Sequence, residues 1–131
     1  MRNMKMFYLP MICVISMIFY GCSKEEKDMF GVSSTEVKFE KQGGTKDIQI
    51  DNKSWWINDV MFNGFSLKND SSVKCYDDQY GCTIKVESDS FLFQKTQQGI
   101  QIKVSSIEEE SRNFDIILQD DDFFEHIYIY Q

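Results

Sequence analysis

The chain has 131 residues and one apolar leader, which leaves room for a single domain and a short tether. An aromatic content of 15%, with eleven Phe and six Tyr, is too much burial capacity for a disordered chain. Its formal charge of −7 becomes −9 once Arg2 and Lys5 leave with the leader, since twelve basic residues then face twenty-one acidic ones; this speaks against nucleic acid and anionic lipid surfaces as partners.

Residues 1–5 form a short basic start, and residues 6–20 carry no charge. As a helix that uncharged run spans about 22 Å, short of the roughly 30 Å of a hydrocarbon core. It reads as the core of a signal peptide, and Pro10 inside it points the same way. Gly21-Cys22 at its end resembles a lipobox, in which a small residue precedes a cysteine that carries diacylglycerol. The resemblance implies a signal peptide at 1–21, a lipidated tether at 22–34, and a membrane anchor at Cys22. The alternative is an uncleaved anchor with Cys22 a free thiol. Ser23-Lys24-Glu25-Glu26 places a lysine and two acids just behind the cysteine. That arrangement resembles the surface-export signal of Bacteroidetes lipoproteins and implies display on the outer face of the outer membrane. A plain polar linker on a periplasm-facing anchor is the other reading.

From Thr35 to Gln131 the pattern has period two almost everywhere, and no window shows a helical apolar stripe. Val37 and Phe39 alternate with charges, Gln42-Gly43-Gly44 makes a turn, and Ile48 and Ile50 alternate with Asp47, Gln49 and Asp51. These residues predict two half-buried strands joined as a hairpin. Trp55-Trp56-Ile57 opens a third strand. Without a proline in the mature chain, Gly, Asn and Asp make the turns.

An antiparallel pairing centred on Asp78-Gln79 sets Cys75 opposite Cys82 and Val73 opposite Ile84, both pairs on one side of the ribbon. In an oxidising compartment this predicts a cross-strand disulfide worth about 2.5 kcal/mol. Phe91 and Phe93 continue the alternation, and Gly99 interrupts it. Ile100, Ile102 and Val104 then form an amphipathic strand. Ser105 to Asn113, with three glutamates, predicts a loop. Phe114, Ile116 and Leu118 point one way, and Asn113, Asp115 and Ile117 the other. Gln119-Asp120-Asp121-Asp122 turns into a last strand, Phe124 to Tyr130.

Phe39, Gly43-Gly44-Thr45-Lys46, the alternating isoleucines and Trp56 resemble the start of a BACON domain. The end is similar too, with Ser111-Arg112, the strand Phe114-Asp115-Ile116, and Ile127-Tyr128-Ile129-Tyr130-Gln131 closing on glutamine. The resemblance covers roughly residues 32–131. It implies an immunoglobulin-like β-sandwich of about seven to eight antiparallel strands over 35–131, which the periodicity supports independently. It also implies an extracellular module that binds carbohydrate or mucin glycans, or that spaces neighbouring domains.

The residues argue for binding rather than catalysis. His126 is the only histidine, and no local signature matches a serine or cysteine nucleophile to it. No cofactor is expected. Asp120-Asp121-Asp122 lacks the spaced oxygen ligands of a calcium loop, so it reads as a solvated turn. If Ile127 and Ile129 face the core, then Phe124, His126, Tyr128 and Tyr130 share the opposite face. One of Trp55 and Trp56 must also point away from the core. Flat aromatic faces suit sugar rings, and a tyrosine hydroxyl adds hydrogen bonds. The plainer reading is that these rings shield a sheet face. The expectation is therefore a non-enzymatic, outer-membrane lipoprotein whose sandwich binds glycan or an outer-membrane protein. The alternative is a structural spacer or accessory subunit with no ligand of its own.

Overall fold

The computed structural model describes residues 29–131. The leader, Cys22 and the segment Ser23-Lys24-Glu25-Glu26 lie outside the described residues. Ten strands follow in chain order: β1 (Glu36–Lys38), β2 (Gly44–Gln49), β3 (Trp56–Phe62), β4 (Phe65–Ser66), β5 (Lys74–Asp77), β6 (Thr83–Ser88), β7 (Phe91–Lys95), β8 (Gly99–Val104), β9 (Asn113–Asp120) and β10 (Phe123–Tyr130). They form two five-stranded sheets, ordered β1-β10-β9-β3-β4 and β2-β8-β7-β6-β5.

The order is that of an immunoglobulin-like sandwich. β2-β8-β7 takes the place of strands B-E-D, and β10-β9-β3-β4 that of G-F-C-C′. β5 and β6 extend the first of these sheets. Two features differ from the sequence expectation. There are ten strands rather than seven or eight, and β1 runs parallel to β10, with Val37 beside Ile129.

The core lies between the sheets and takes the inward set that alternation predicts. Ile100, Ile102 and Val104 come from β8, Phe114, Ile116 and Leu118 from β9, and Ile127 and Ile129 from β10. β3 breaks the rule midway. A bulge between Ile57 and Asp59 shifts its register on β9, so burial moves from Trp55 and Ile57 to Val60. Asn63-Gly64 closes the β3–β4 hairpin with both residues at positive φ, the turn this dipeptide favours.

Val37 and Ile48 do not belong to one hairpin, as their spacing had implied. The chain crosses between sheets after β1, and β2 pairs with β8 instead. Gly43 makes the crossing possible. Its φ is +79°, and a Cβ there would lie 2.3 Å from the Val104 carbonyl oxygen.

Residues 30–34, assigned by sequence to the tether, pack onto the sandwich. Phe30 is buried in the core, Val32 bridges Ile50, and the Asn52 amide donates to the Phe30 carbonyl at 2.9 Å. A lone phenylalanine beyond the alternating region gives no periodic signal, so alternation alone starts the sandwich at Thr35.

One end of the sandwich is closed by a buried arginine. Arg112 Nε and Nη2 donate to the Gln131 side-chain oxygen at 3.1 and 2.7 Å, and Nη2 also donates to the Ser105 carbonyl. Gln131 Nε2 in turn donates to the Ser105 and Glu40 carbonyls. Burial lowers the Arg112 pKa. Gln131 thereby ties together the crossing loop and the loop before β9.

Candidate functional site

The outward face of the β1-β10-β9-β3-β4 sheet carries the aromatic row. Because Ile127 and Ile129 are fully buried, their neighbours Phe124, His126, Tyr128 and Tyr130 project from the other side of β10. Pairing sets their surroundings. Tyr128 lies between Glu36 and Asp115, Tyr130 between Lys38 and Asn113, and His126 beside Ile117. Phe124 pairs with Gln119, whose other neighbour is Trp56. The face therefore runs from Lys38 across four aromatic positions on β10 to Trp56 on β3.

His126 and Tyr128 stack with ring centroids 5.7 Å apart and planes only 6° from parallel. His126 Nδ1 is bonded to both oxygens of Asp115, at 2.8 and 3.0 Å. In the neutral ring this places the proton on Nδ1 and leaves Nε2 as an acceptor. The Tyr128 hydroxyl is held above its usual pKa, first by desolvation and then by Asp115, Tyr130 and Glu125. It is therefore a neutral donor at physiological pH. Two parallel rings, an oriented imidazole and a phenolic hydroxyl make a flat, hydrogen-bonding surface. Asp115 was readable as an outward residue of β9; that it orients His126 needed the register.

The tryptophans separate. Trp55 is 1% exposed and belongs to the core, so it is no part of an outer binding face. Trp56 is half-buried and stays on the outward side. Asp120 accepts a bond from Asn52, and Asp121 takes a left-handed φ of 55° in the turn to β10.

The predicted Cys75–Cys82 disulfide is absent; both thiols are free. Cys75 pairs with Val86, and the Asp78 amide donates to the Cys82 carbonyl. The cysteines are thus offset by three positions, roughly 10 Å along the ribbon, beyond the ~7 Å Cα limit of a bridge. Two causes move the register. The Asp78 carboxylate accepts from the Tyr80 and Cys82 amides and builds a longer turn, and a bulge follows Tyr76.

Cys75 instead lines a cleft of about 150 Å³ between β3 and β5–β6, over Ile57, Val60, Leu67 and Val86. Burial, with help from Asp77 and Asp59, pushes its thiol pKa up, so it is the protonated, less reactive form near neutrality. Alkylation without prior reduction, read by mass spectrometry, is expected to modify both Cys75 and Cys82, with Cys75 accelerating only above the ordinary thiol range. A disulfide-linked peptide pair would overturn this register.

The sheet order and its aromatic outer face define the class as an immunoglobulin-like β-sandwich with one decorated sheet. The chain is similar to a solved structure described as the NMR structure of the protein from Bacteroides thetaiotaomicron. The two share a TM-score of 0.62 at 20% identity, over 80% of this chain and 87% of that one. At that identity the likeness speaks for the fold alone. No protein-family model and no curated protein matches the chain.

Proposed function

We propose that this chain is a non-catalytic lipoprotein, anchored to the bacterial outer membrane through Cys22 and displayed at the cell surface, whose sandwich binds glycan or protein. The observation that carries the binding part is the contiguous outward row of Phe124, His126, Tyr128 and Tyr130, flanked by Trp56. Three of these rings, those of Phe124, Tyr128 and Tyr130, are more than a third exposed although they sit mid-sheet or near its end. Solvent-facing rings in a row are a surface for a partner's apolar face. The anchor and export parts rest on Gly21-Cys22 and Ser23-Lys24-Glu25-Glu26, and the BACON resemblance supports an extracellular setting.

The test is binding on a glycan array and to solubilised outer-membrane proteins, with Tyr128→Ala/Tyr130→Ala as the comparison. Removal of both rings is expected to weaken binding at least ~10-fold, about 1.4 kcal/mol. Their exposed positions limit the folding cost to ~1 kcal/mol each. Capture of one fixed membrane protein that survives loss of both rings, with no glycan bound, would favour the spacer or accessory-subunit reading. Membrane attachment that persists in Cys22→Ala would overturn the anchor.

A further inference from the structure

The end of the sandwich opposite Arg112 holds a different chemistry. There the ends of β6 and β7 and the segment before β3 enclose an open pocket of about 580 Å³, lined by Lys53, Ile84, Lys95, Thr96 and Gln97. Two lysines line it in a chain whose net charge is −7, close enough that the charge of Lys53 acts on Lys95. Lys95 Nζ donates to the Lys53 carbonyl at 2.9 Å and to the Trp55 carbonyl at 2.5 Å. It also stands 4.8 Å from the centroid of the buried Trp55 ring. Lys53 Nζ donates to the Ile50 carbonyl at 2.9 Å.

All of these acceptors are neutral, and among the described residues neither amine forms an ion pair. A lysine ammonium has three N–H donors. Lys95 therefore keeps one and Lys53 two for a ligand. Burial pulls the Lys95 pKa down, which is the signature of a partly desolvated cation lacking a close counter-ion. Asp78, Cys82 and Asp120 act on Lys95 from further off in the opposite sense. The carboxylates of Asp78 and Asp120 favour the charged amine, Lys53 opposes it, and the two acids also penalise a second negative charge on anything bound. The apolar Ile84 and the lysine stems offer a floor for a carbon skeleton rather than for a bare ion.

We propose that this pocket binds the carboxylate of a small organic acid, its oxygens on the Lys53 and Lys95 ammonium groups and its body over Ile84. The site is separate from the aromatic face and does not depend on it. The experiment is titration of the intact protein with glucuronate, glucose and inorganic phosphate. It is read in ¹H–¹³C spectra at the ε-methylenes of Lys53 and Lys95 and the methyls of Ile84. Glucuronate is expected to give saturable shifts at millimolar concentration, glucose none, and phosphate a weaker response. Bound glucuronate should also raise the pH midpoint of the Lys95 ε-methylene. Lys95→Met should abolish the response. Lys53→Gln, which leaves the Trp55 contact intact, should weaken it ~10-fold. No saturable shift in the unmodified protein, an equal response to phosphate, or an unchanged response in Lys53→Gln would each overturn the proposal.

Discussion

Phe114→Ala is expected to lower stability by about 3–5 kcal/mol, the range for truncating a fully packed aromatic ring. Phe114 is the hub of the core. Its ring lies 5.1 Å from Phe62, 5.1 Å from Phe91 and 5.2 Å from Phe93, centroid to centroid. The Arg112 guanidinium sits over it at 5.6 Å. Removing the ring opens a cavity bounded by three other rings that are themselves held by both sheets. It also leaves a buried cation without its aromatic floor. Against a net stability of about 5–15 kcal/mol, such a loss brings the domain close to unfolding at ambient temperature. Urea denaturation followed by tryptophan fluorescence gives the number. A cost below ~1.5 kcal/mol would mean that the sheets close over the gap, and that this ring is no hub.

Phe114 also marks how far a single sequence can be read. Its inward position follows from strict alternation along β9, as do those of Ile127 and Ile129 on β10, and with them the outward set of Phe124, His126, Tyr128 and Tyr130. Facing is a local property with period two, so it survives without knowledge of partners. Pairing is not local. Val37 and Ile48 looked like a hairpin because a glycine turn lies between them, yet β1 finds its partner in β10, about ninety residues on. Nothing in the turn distinguishes a hairpin from a crossing except Gly43, whose missing Cβ lets the chain pass the Val104 carbonyl.

Side-chain turn chemistry and bulges account for the other differences. The cysteine register failed because the Asp78 carboxylate holds two amides of the turn and lengthens it. Of the tryptophan pair, alternation showed that one ring must face outward. The structure turns Trp55 inward with Ile57, and Lys95 of the other sheet stands over its ring. Arg112 falls in the segment 105–113 that the sequence predicts as a loop, and its partners, the Gln131 side chain and the Ser105 carbonyl, carry no charge that would single it out. The candidate face was thus legible as a row of rings. Its oriented histidine and the two-lysine pocket were not: the first needs the β9–β10 register, and the second joins the segment before β3 to the end of β7 in the other sheet.

Gly99→Ala is expected to damage the fold more than its single methyl group implies. Gly99 opens β8 directly against β2, pairing with Gln49. A Cβ at this position would fall 1.9 Å from the Ile48 carbonyl oxygen and 2.7 Å from the Ile50 amide nitrogen. When side chains crowd, rotamers yield and overpacking costs about 1–3 kcal/mol. Here the obstacles are backbone atoms of the neighbouring strand, so β2 itself must move away from β8. That displacement would loosen Ile48 and Ile50, both core residues, and the bridge that holds Val32. The cost should therefore reach the top of that range or pass it. Hydrogen exchange at the Ile48 and Ile50 amides should rise ahead of the rest of the sheet. Gly81→Ala provides the comparison. Its φ of +80° strains an alanine, but nothing lies within 4 Å of the added carbon, so it should cost only ~1–2 kcal/mol. If Gly81→Ala proved the more damaging of the two, the close approach of β2 to β8 could not be what requires glycine at 99.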